Sequence, residues 1–271
     1  MNLERVDQIA KAVLYEGYML YPYRPSSVKN RQRWNFGVLC PPAFRDEQIG
    51  NETSSMRIEC LIVGGTGTKV ELKVRFLQLR VRSTGSDGTS LPDGWQEADE
   101  REISVPALSL AESVGNGVNH RFSFPAQTTS EREIDRQGDS HEVVRSQSSL
   151  EGQVDVMVSR VRDDLFMLSA IVRNTTTPVT AGTDRDGVLM QSLVSTHVIL
   201  GVQGGDFVSL LEPPDDLQPF VAHCQNVGAW PVLVGDVGQR DTLLASPIIL
   251  YDYPQIAPES VGDLFDGTEI D

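Results

Sequence analysis

His223-Cys224 is the only adjacent pair of good soft metal ligands in the chain, because imidazole nitrogen and thiolate sulfur both suit first-row transition metals. With His197 it makes the best metal set on offer: His197, His223 and Cys224. Further ligands would have to arrive from Cys40, Cys60 or His120, which spacing alone does not show. Cys224 also falls on an apolar helical stripe, where a small core residue is the simpler reading. Other chemistries begin and then fail. His141-Glu142-Val143-Val144-Arg145 opens like the zinc-protease helix pair, yet a cation occupies the second ligand position. Gly138-Asp139-Ser140 lacks the strand-to-helix elbow of a serine esterase. Asp184-Arg185-Asp186-Gly187 lacks the third acid and the distal Glu of a calcium loop. Gly64-Gly65-Thr66-Gly67 lies between two strand-like runs, so it reads as a hairpin loop rather than a phosphate cradle. Asp236 and Asp252 come after strands, but loop capping accounts for each. The residues name no catalytic group and no cofactor.

Charge placement is more informative. The 271 residues carry 23 Lys+Arg against 38 Asp+Glu, a net charge of −15. From Tyr21 to Trp34 there are four cations (Arg24, Lys29, Arg31, Arg33) and no acid, interleaved with Tyr21 and Tyr23. From Tyr251 to Asp271 there are six acids and no Lys or Arg. Opposite blocks at the two ends can steer a partner or clasp each other, and an ion pair from Arg24, Arg31 or Arg33 to a tail carboxylate is expected. Arg and aromatic rings together also make stacking platforms for single strands. Residues 1–34 hold six cations and three acids, +3, which leaves −18 on the rest. Repulsion of a phosphate backbone dominates, so nucleic-acid binding is not expected. The residues singled out for contact with a protein partner are Tyr23, Arg24, Asn30, Arg31 and Trp34.

These groups need elements to position them. Leu3, Val6, Ile9, Ala10, Val13 and Leu14 recur at spacings of three and four, which predicts a one-faced helix that must dock on a sheet. Most of the chain beyond this helix alternates with period two. Met56–Val63 reads as a strand, and Val70 to Val81 reads as another whose phase slips at Phe76-Leu77, the signature of a β-bulge. Trp34–Cys40, Glu102–Val105 and His120–Phe124 are shorter candidates. Gln153–Ser159 and Phe166–Asn174 form the clearest hairpin, turning at Asp163-Asp164. Two short helices are expected over 186–194 and 217–224, with a strand pair Val198–Val202 and Phe207–Leu211 between them. Pro231–Gly235 and Pro247–Tyr251 are further strands. The fold class is therefore mainly β (α+β): antiparallel, sandwich-like sheets with an N-terminal helix and two short helices in the C-terminal half.

Residues 83–92 and 127–140 read as polar loops, the second holding one apolar side chain, Ile134. The chain thus divides into three parts: 1–126, a helix plus β part; 127–140, a polar loop or linker; and 141–271, β-rich with an acidic tail. The two larger parts are able to pack as one domain. No stretch approaches the ~20 apolar residues of a membrane span. Acids in the first seven residues do not suit a secretory signal, and three scattered cysteines do not build a disulfide framework. A cytoplasmic setting is expected.

The run Leu14-Tyr15-Glu16-Gly17-Tyr18-Met19-Leu20-Tyr21-Pro22-Tyr23-Arg24, with Lys29-Asn30-Arg31-Gln32-Arg33-Trp34, resembles the opening of an uncharacterised bacterial protein family associated with [NiFe]-hydrogenase accessory gene clusters. The likeness continues through residues 192–197, 226–235 and 246–254 and closes with 256–260 and 262–271. Members of that family run on past the final motif, so the chain would be a short or truncated member. The resemblance implies a non-enzymatic accessory or scaffold protein in hydrogenase assembly or maturation, acting through contacts with hydrogenase subunits or accessory proteins. It supplies no catalytic residues. The other two readings are a metal-binding protein or enzyme centred on His197, His223 and Cys224, and a small-ligand module with an aromatic-lined pocket at a sandwich end.

Overall fold

The computed structural model describes residues 8–12, 14, 37–44, 53–84, 95–134, 138, 140–177 and 185–255. Its organising element is β1 (Ser55–Thr84). A straight strand of that length would reach about 100 Å, far beyond the span of a domain this size. It bends instead. Gly64 pairs with Gly205 and the next pair is Lys69 with Gln203, so β1 takes five steps while β8 (Val194–Phe207) takes two. The buried Thr68 fastens the bend: its hydroxyl donates to the Gly204 carbonyl at 2.7 Å and accepts from the Gly65 N–H at 2.9 Å. A β-carbon on Gly205 would stand 2.6 Å from the Val63 carbonyl oxygen, so only glycine lets the two backbones approach here. The expected hairpins at 64–68 and 203–206 are thus both corrected, since each is a kink in one continuing strand.

The bend folds the sheet over its own core. Met56, Ile58, Cys60 and Ile62 from the first half share one buried cluster with Val70, Leu72, Val74 and Phe76 from the second. On the first half, β7 (Leu165–Asn174) pairs with β1, β6 (Leu150–Arg162) with β7, and β3 (Val118–Phe124) with β6. On the second half, β2 (Trp95–Ser109) lies along one edge and β8 along the other, followed by β10 (Thr242–Ser246) and β9 (Trp230–Leu233). All of these ladders are antiparallel. The mainly β, sandwich-like architecture is as the alternation implies. The hairpin β6–β7 buries Val154, Val156 and Val158 against Phe166, Leu168, Ala170 and Val172, as its pattern predicts. At the open side Phe76, Phe122 and Phe124 meet with ring centroids 5.9–6.2 Å apart, and the Arg101 guanidinium lies 4.6 Å from the Phe124 ring.

The outer faces are covered by short elements. Residues 8–12 and 14 are helical, and Ile9 and Ala10 are buried on Ile199, Val232 and Leu244. Leu14 is buried with Leu77, Leu79, Leu189 and Val194, so the N-terminal helix does dock on the sheet. This explains the apparent phase slip at Phe76-Leu77. Alternation in the β1–β2 ladder is unbroken from Leu72 to Arg82, and both faces of β1 are covered there. The bulge belongs to β8: between Arg75↔His197 and Leu77↔Val194, β8 spends three steps to two, with Ser195 at φ 52°. The two expected later helices are single turns, Arg185–Leu189 and Gln218–Val221. Pro247–Tyr251 is not a strand, while Thr242–Ser246 is.

The largest correction concerns 127–140. Gln127–Ile134 is a strand, β4, paired over eight residues with β5 (Ser140–Gln147). Few of its side chains are buried. It is held by the backbone ladder and by charge: Arg145 donates to Glu97, Glu131 and Glu133 at 2.9, 3.2 and 2.5 Å, and Arg82 donates to Glu133 at 2.6 Å. These hydrogen bonds, that from Arg145 foremost, hold the Glu133 carboxyl below the usual carboxylate range, and those that Arg145 donates to Glu133 and Glu97 push its guanidinium up. β5 in turn pairs with the last residues of β1, Val81–Thr84. Strands from 1–126 and from 141–271 therefore share one hydrogen-bonded sheet.

Gly152 lies opposite Phe122, and a β-carbon there would meet the ring at 2.1 Å. Gly152→Val is expected to lower stability by about 1–3 kcal/mol through overpacking. Gly67→Ala, with nothing within 4 Å, is expected to stay within about 0.5 kcal/mol. Urea unfolding midpoints compare the two.

Candidate protein-interaction surface

The expected metal residues fall in different parts of the fold. His197 sits in β8 opposite Arg75 and is fully buried. Its Nδ1 donates to the Ser195 carbonyl at 3.0 Å, and its Nε2 is buried with no hydrogen-bond partner. Burial, reinforced by the Arg75 charge, lowers its pKa to about 4, so the imidazole is neutral near pH 7. His223 is exposed beside the turn Gln218–Val221 and bonds through Nδ1 to the Pro219 carbonyl at 2.6 Å. Cys224 is half-buried against the cluster of Leu61, Leu165, Val208 and Leu217, on the other half of β1. Burial, with Glu59 nearby, pushes its thiol up to about 11, and burial raises Cys60 as well. Both are protonated thiols near neutral pH, whereas a ligand or nucleophile is the thiolate. Among the described residues no three His, Cys, Asp or Glu side chains are grouped to hold a metal ion.

Nor are two cavities among the described residues aromatic-lined. One of about 650 Å³ lies between the N-terminal helix and the second half of the sheet, bordered by Gln8, Lys11, Leu14, Arg75, Glu100 and Glu102. Its Glu102 is ion-paired, with Arg75 Nε 2.7 Å and Lys73 Nζ 2.9 Å away. Against the opposing pull of partial burial, those two bonds hold Glu102 below the usual carboxylate range. A second cavity of about 490 Å³ beside β3 has one aromatic among its lining residues, Phe122.

Apolar side chains are exposed at the β9–β10 edge. Trp230 ends β9 opposite Ser246 and is 43% exposed. From Ser246 the chain crosses the outer face of the two strands. Ile248 and Leu250 point down onto Val232, Val234 and Leu244, which turns Ile249 (75% exposed) and Tyr251 (85%) outward. Val227, three residues before Trp230, is also exposed. The crossing ends where Asp252 accepts from the Leu233 N–H at 2.8 Å and from the Ser209 hydroxyl at 2.5 Å, and the Tyr253 N–H donates to the Leu233 carbonyl at 2.7 Å. Residues 225–235 and 245–251 contain no charged side chain, in a chain of net charge −15. Aromatic enrichment with depletion of charge is the composition of an interface centre. The sequence alone reads Pro247–Tyr251 as a strand and gives no site there. The one signal of outward exposure is the consecutive apolar run Ile248-Ile249-Leu250-Tyr251, too long for one face.

The contact residues Tyr23, Arg24, Asn30, Arg31 and Trp34, and the expected clasp between 24–33 and the acidic tail, lie outside the described residues. Among the described residues no helix is long and apolar enough to cross a membrane. Comparison with known proteins finds no family model and no curated protein that matches the chain.

The pH dependence of stability should carry the mark of His197. Its native pKa of about 4 lies below the ordinary value of about 6.5, so the unfolded chain binds the proton first. Stability is complete above about pH 6.5 and falls as the pH drops toward 4, by on the order of 3 kcal/mol. His197→Leu should flatten that slope between pH 6.5 and 4, measured as urea unfolding free energy at each pH, whatever its effect at pH 7.

Proposed function

We propose that the chain is a non-enzymatic accessory or scaffold protein of the bacterial cytoplasm that works through protein–protein contacts in the assembly or maturation of a hydrogenase. The observation that carries the contact role is the uncharged strip of Trp230, Ile249 and Tyr251 beside the edge strand β9. Burying it against another protein removes apolar surface from water at about 25 cal/mol per Å², with no charge to desolvate. The partner class comes from the resemblance of residues 14–24, 29–34, 192–197, 226–235, 246–254, 256–260 and 262–271 to the hydrogenase-associated family. The separation of His197, in β8 opposite the second half of β1, from the adjacent His223 and Cys224, beside the first half, speaks for this reading over the metal-site alternative.

Affinity capture of the full chain from its native cells, with metal analysis of the recovered protein, tests the proposal. Hydrogenase subunits should be recovered without stoichiometric metal on the chain itself. Stoichiometric metal, lost in a His223→Ala/Cys224→Ala variant, would turn the assignment to the metal-site alternative.

A further inference from the structure

Among the described residues β4 pairs with β5 and with no other strand, and none of the side chains of Gln127–Ile134 is buried. β5 is held more firmly. Its Val143 is fully buried, and residues 143–146 also pair with the end of β1. β4 has only its ladder, one short bond from the Ser130 hydroxyl to Glu142, and two carboxylates. Glu131 and Glu133 stand two residues apart, which puts them on one face of the strand. That face meets Arg145 of β5 and Arg82 of β1. Glu133 lies 2.5 Å from Arg145 and 2.6 Å from Arg82, and Glu131 lies 3.2 Å from Arg145. The pair with Arg82 ties β4 to a strand beyond its own neighbour. Arg132, between the two acids, points to the other face and is exposed.

The two arginines do not depend on β4 for a counter-ion. Glu97 of β2 lies 2.9 Å from Arg145 Nε and 3.7 Å from Arg82 Nε. Taking the only carboxylate away from a covered cation is costly, but here Glu97 stays behind. β4 is therefore free to leave without stranding either cation, and no buried apolar side chain of its own opposes the move. From these features we propose that β4 is an ionic strap. Gln127–Ile134 opens from β5 as a unit while β5 remains on β1, and the hold of Arg82 and Arg145 on Glu133 sets the closed population. Segments with few buried contacts open locally at a free energy below that of global unfolding. The open state makes β5 an edge strand, with backbone N–H and C=O groups freed to accept another strand. Salt screens partly exposed pairs and so favours the open state. The inference is independent of the hydrogenase assignment and of the strip beside β9.

Hydrogen exchange of the full chain, read by mass spectrometry on peptides covering 127–134 and 150–174, tests the strap. Wild type, Glu133→Gln and Arg132→Gln are each compared at about 0.05 M and about 0.5 M salt. In the wild type, exchange over 127–134 should quicken by about threefold or more as salt is raised, while the β6–β7 hairpin at 150–174 holds its rate. Glu133→Gln weakens both charge-assisted bonds and should quicken exchange over 127–134 by about tenfold at low salt, with a smaller further response to salt. Arg132→Gln should keep the wild-type rate. Exchange over 127–134 that ignores both salt and Glu133→Gln, or that changes only in step with 150–174, would overturn the inference. So would an Arg132→Gln form as fast as Glu133→Gln, because strand charge in general, and not the two arginine pairs, would then be responsible. Should Glu133→Gln fail to fold, the salt response of the wild type decides alone.

Discussion

Thirty residues of continuous β1 have to fit inside one domain, and the rest of the structure depends on how that is done. The bend at 64–68 places the even-numbered side chains of both halves on the same interior. It needs glycine where a side chain or backbone comes close (Gly64 and Gly205), glycine at the left-handed φ of +72° at Gly204, and one buried threonine hydroxyl that is both donor and acceptor. β2, β5, β7 and β8 pair with β1 directly, and the other strands follow outward from these, β6 and then β3 from β7, β10 and then β9 from β8, and β4 from β5. The sandwich is thus a single sheet folded over on itself, with no need of two separately folded layers.

Closure of this kind leaves two outer faces and several edges to manage. The N-terminal helix covers the face carrying Ile199, Val232 and Leu244, and the turn Gln218–Val221 with its flanking residues covers Leu61, Leu165 and Val208. Where no apolar cover is present, charge is used. Arg80, Arg82, Arg101 and Arg145 interleave with Glu97, Asp99, Glu131 and Glu133 across β1, β2, β5 and β4. Single exposed ion pairs contribute little, but here Arg80, Arg82 and Arg145 each serve two or more partners and fix the register of a strand with almost no buried side chain. The β9 edge is managed differently again, by Pro231 and by the backbone caps on Leu233. The apolar strip remains exposed beside an edge that has been made unable to aggregate by strand pairing.

The bearing on function is that contact and chemistry separate. Among the described residues, His197 is locked on a carbonyl of its own strand, and the thiols of Cys60 and Cys224 are held in the protonated form. At the β9–β10 edge, large apolar side chains face solvent together at Trp230, Ile249 and Tyr251.

Much of this is legible in the residues themselves. Period-two alternation in 56–63, 70–76, 154–158 and 166–172 identifies the core strands and their inward faces, because a half-buried strand has no other way to divide its side chains between water and core. The spacing of Ile9, Ala10 and Leu14 marks a helix that must dock. Glycine runs, in contrast, mark backbone freedom without saying whether the chain reverses or merely kinks, and both 64–68 and 203–206 kink because each strand has the other to continue against. The polar stretch 127–134 becomes a strand only because Arg145 and Arg82, distant in sequence, meet its acids. Which of Ile248, Ile249, Leu250 and Tyr251 face outward, and that His197 and Cys224 lie beside opposite halves of β1, is settled by long-range pairing alone. Local composition determines what a segment is able to do; the partner it meets in space decides which of those it does.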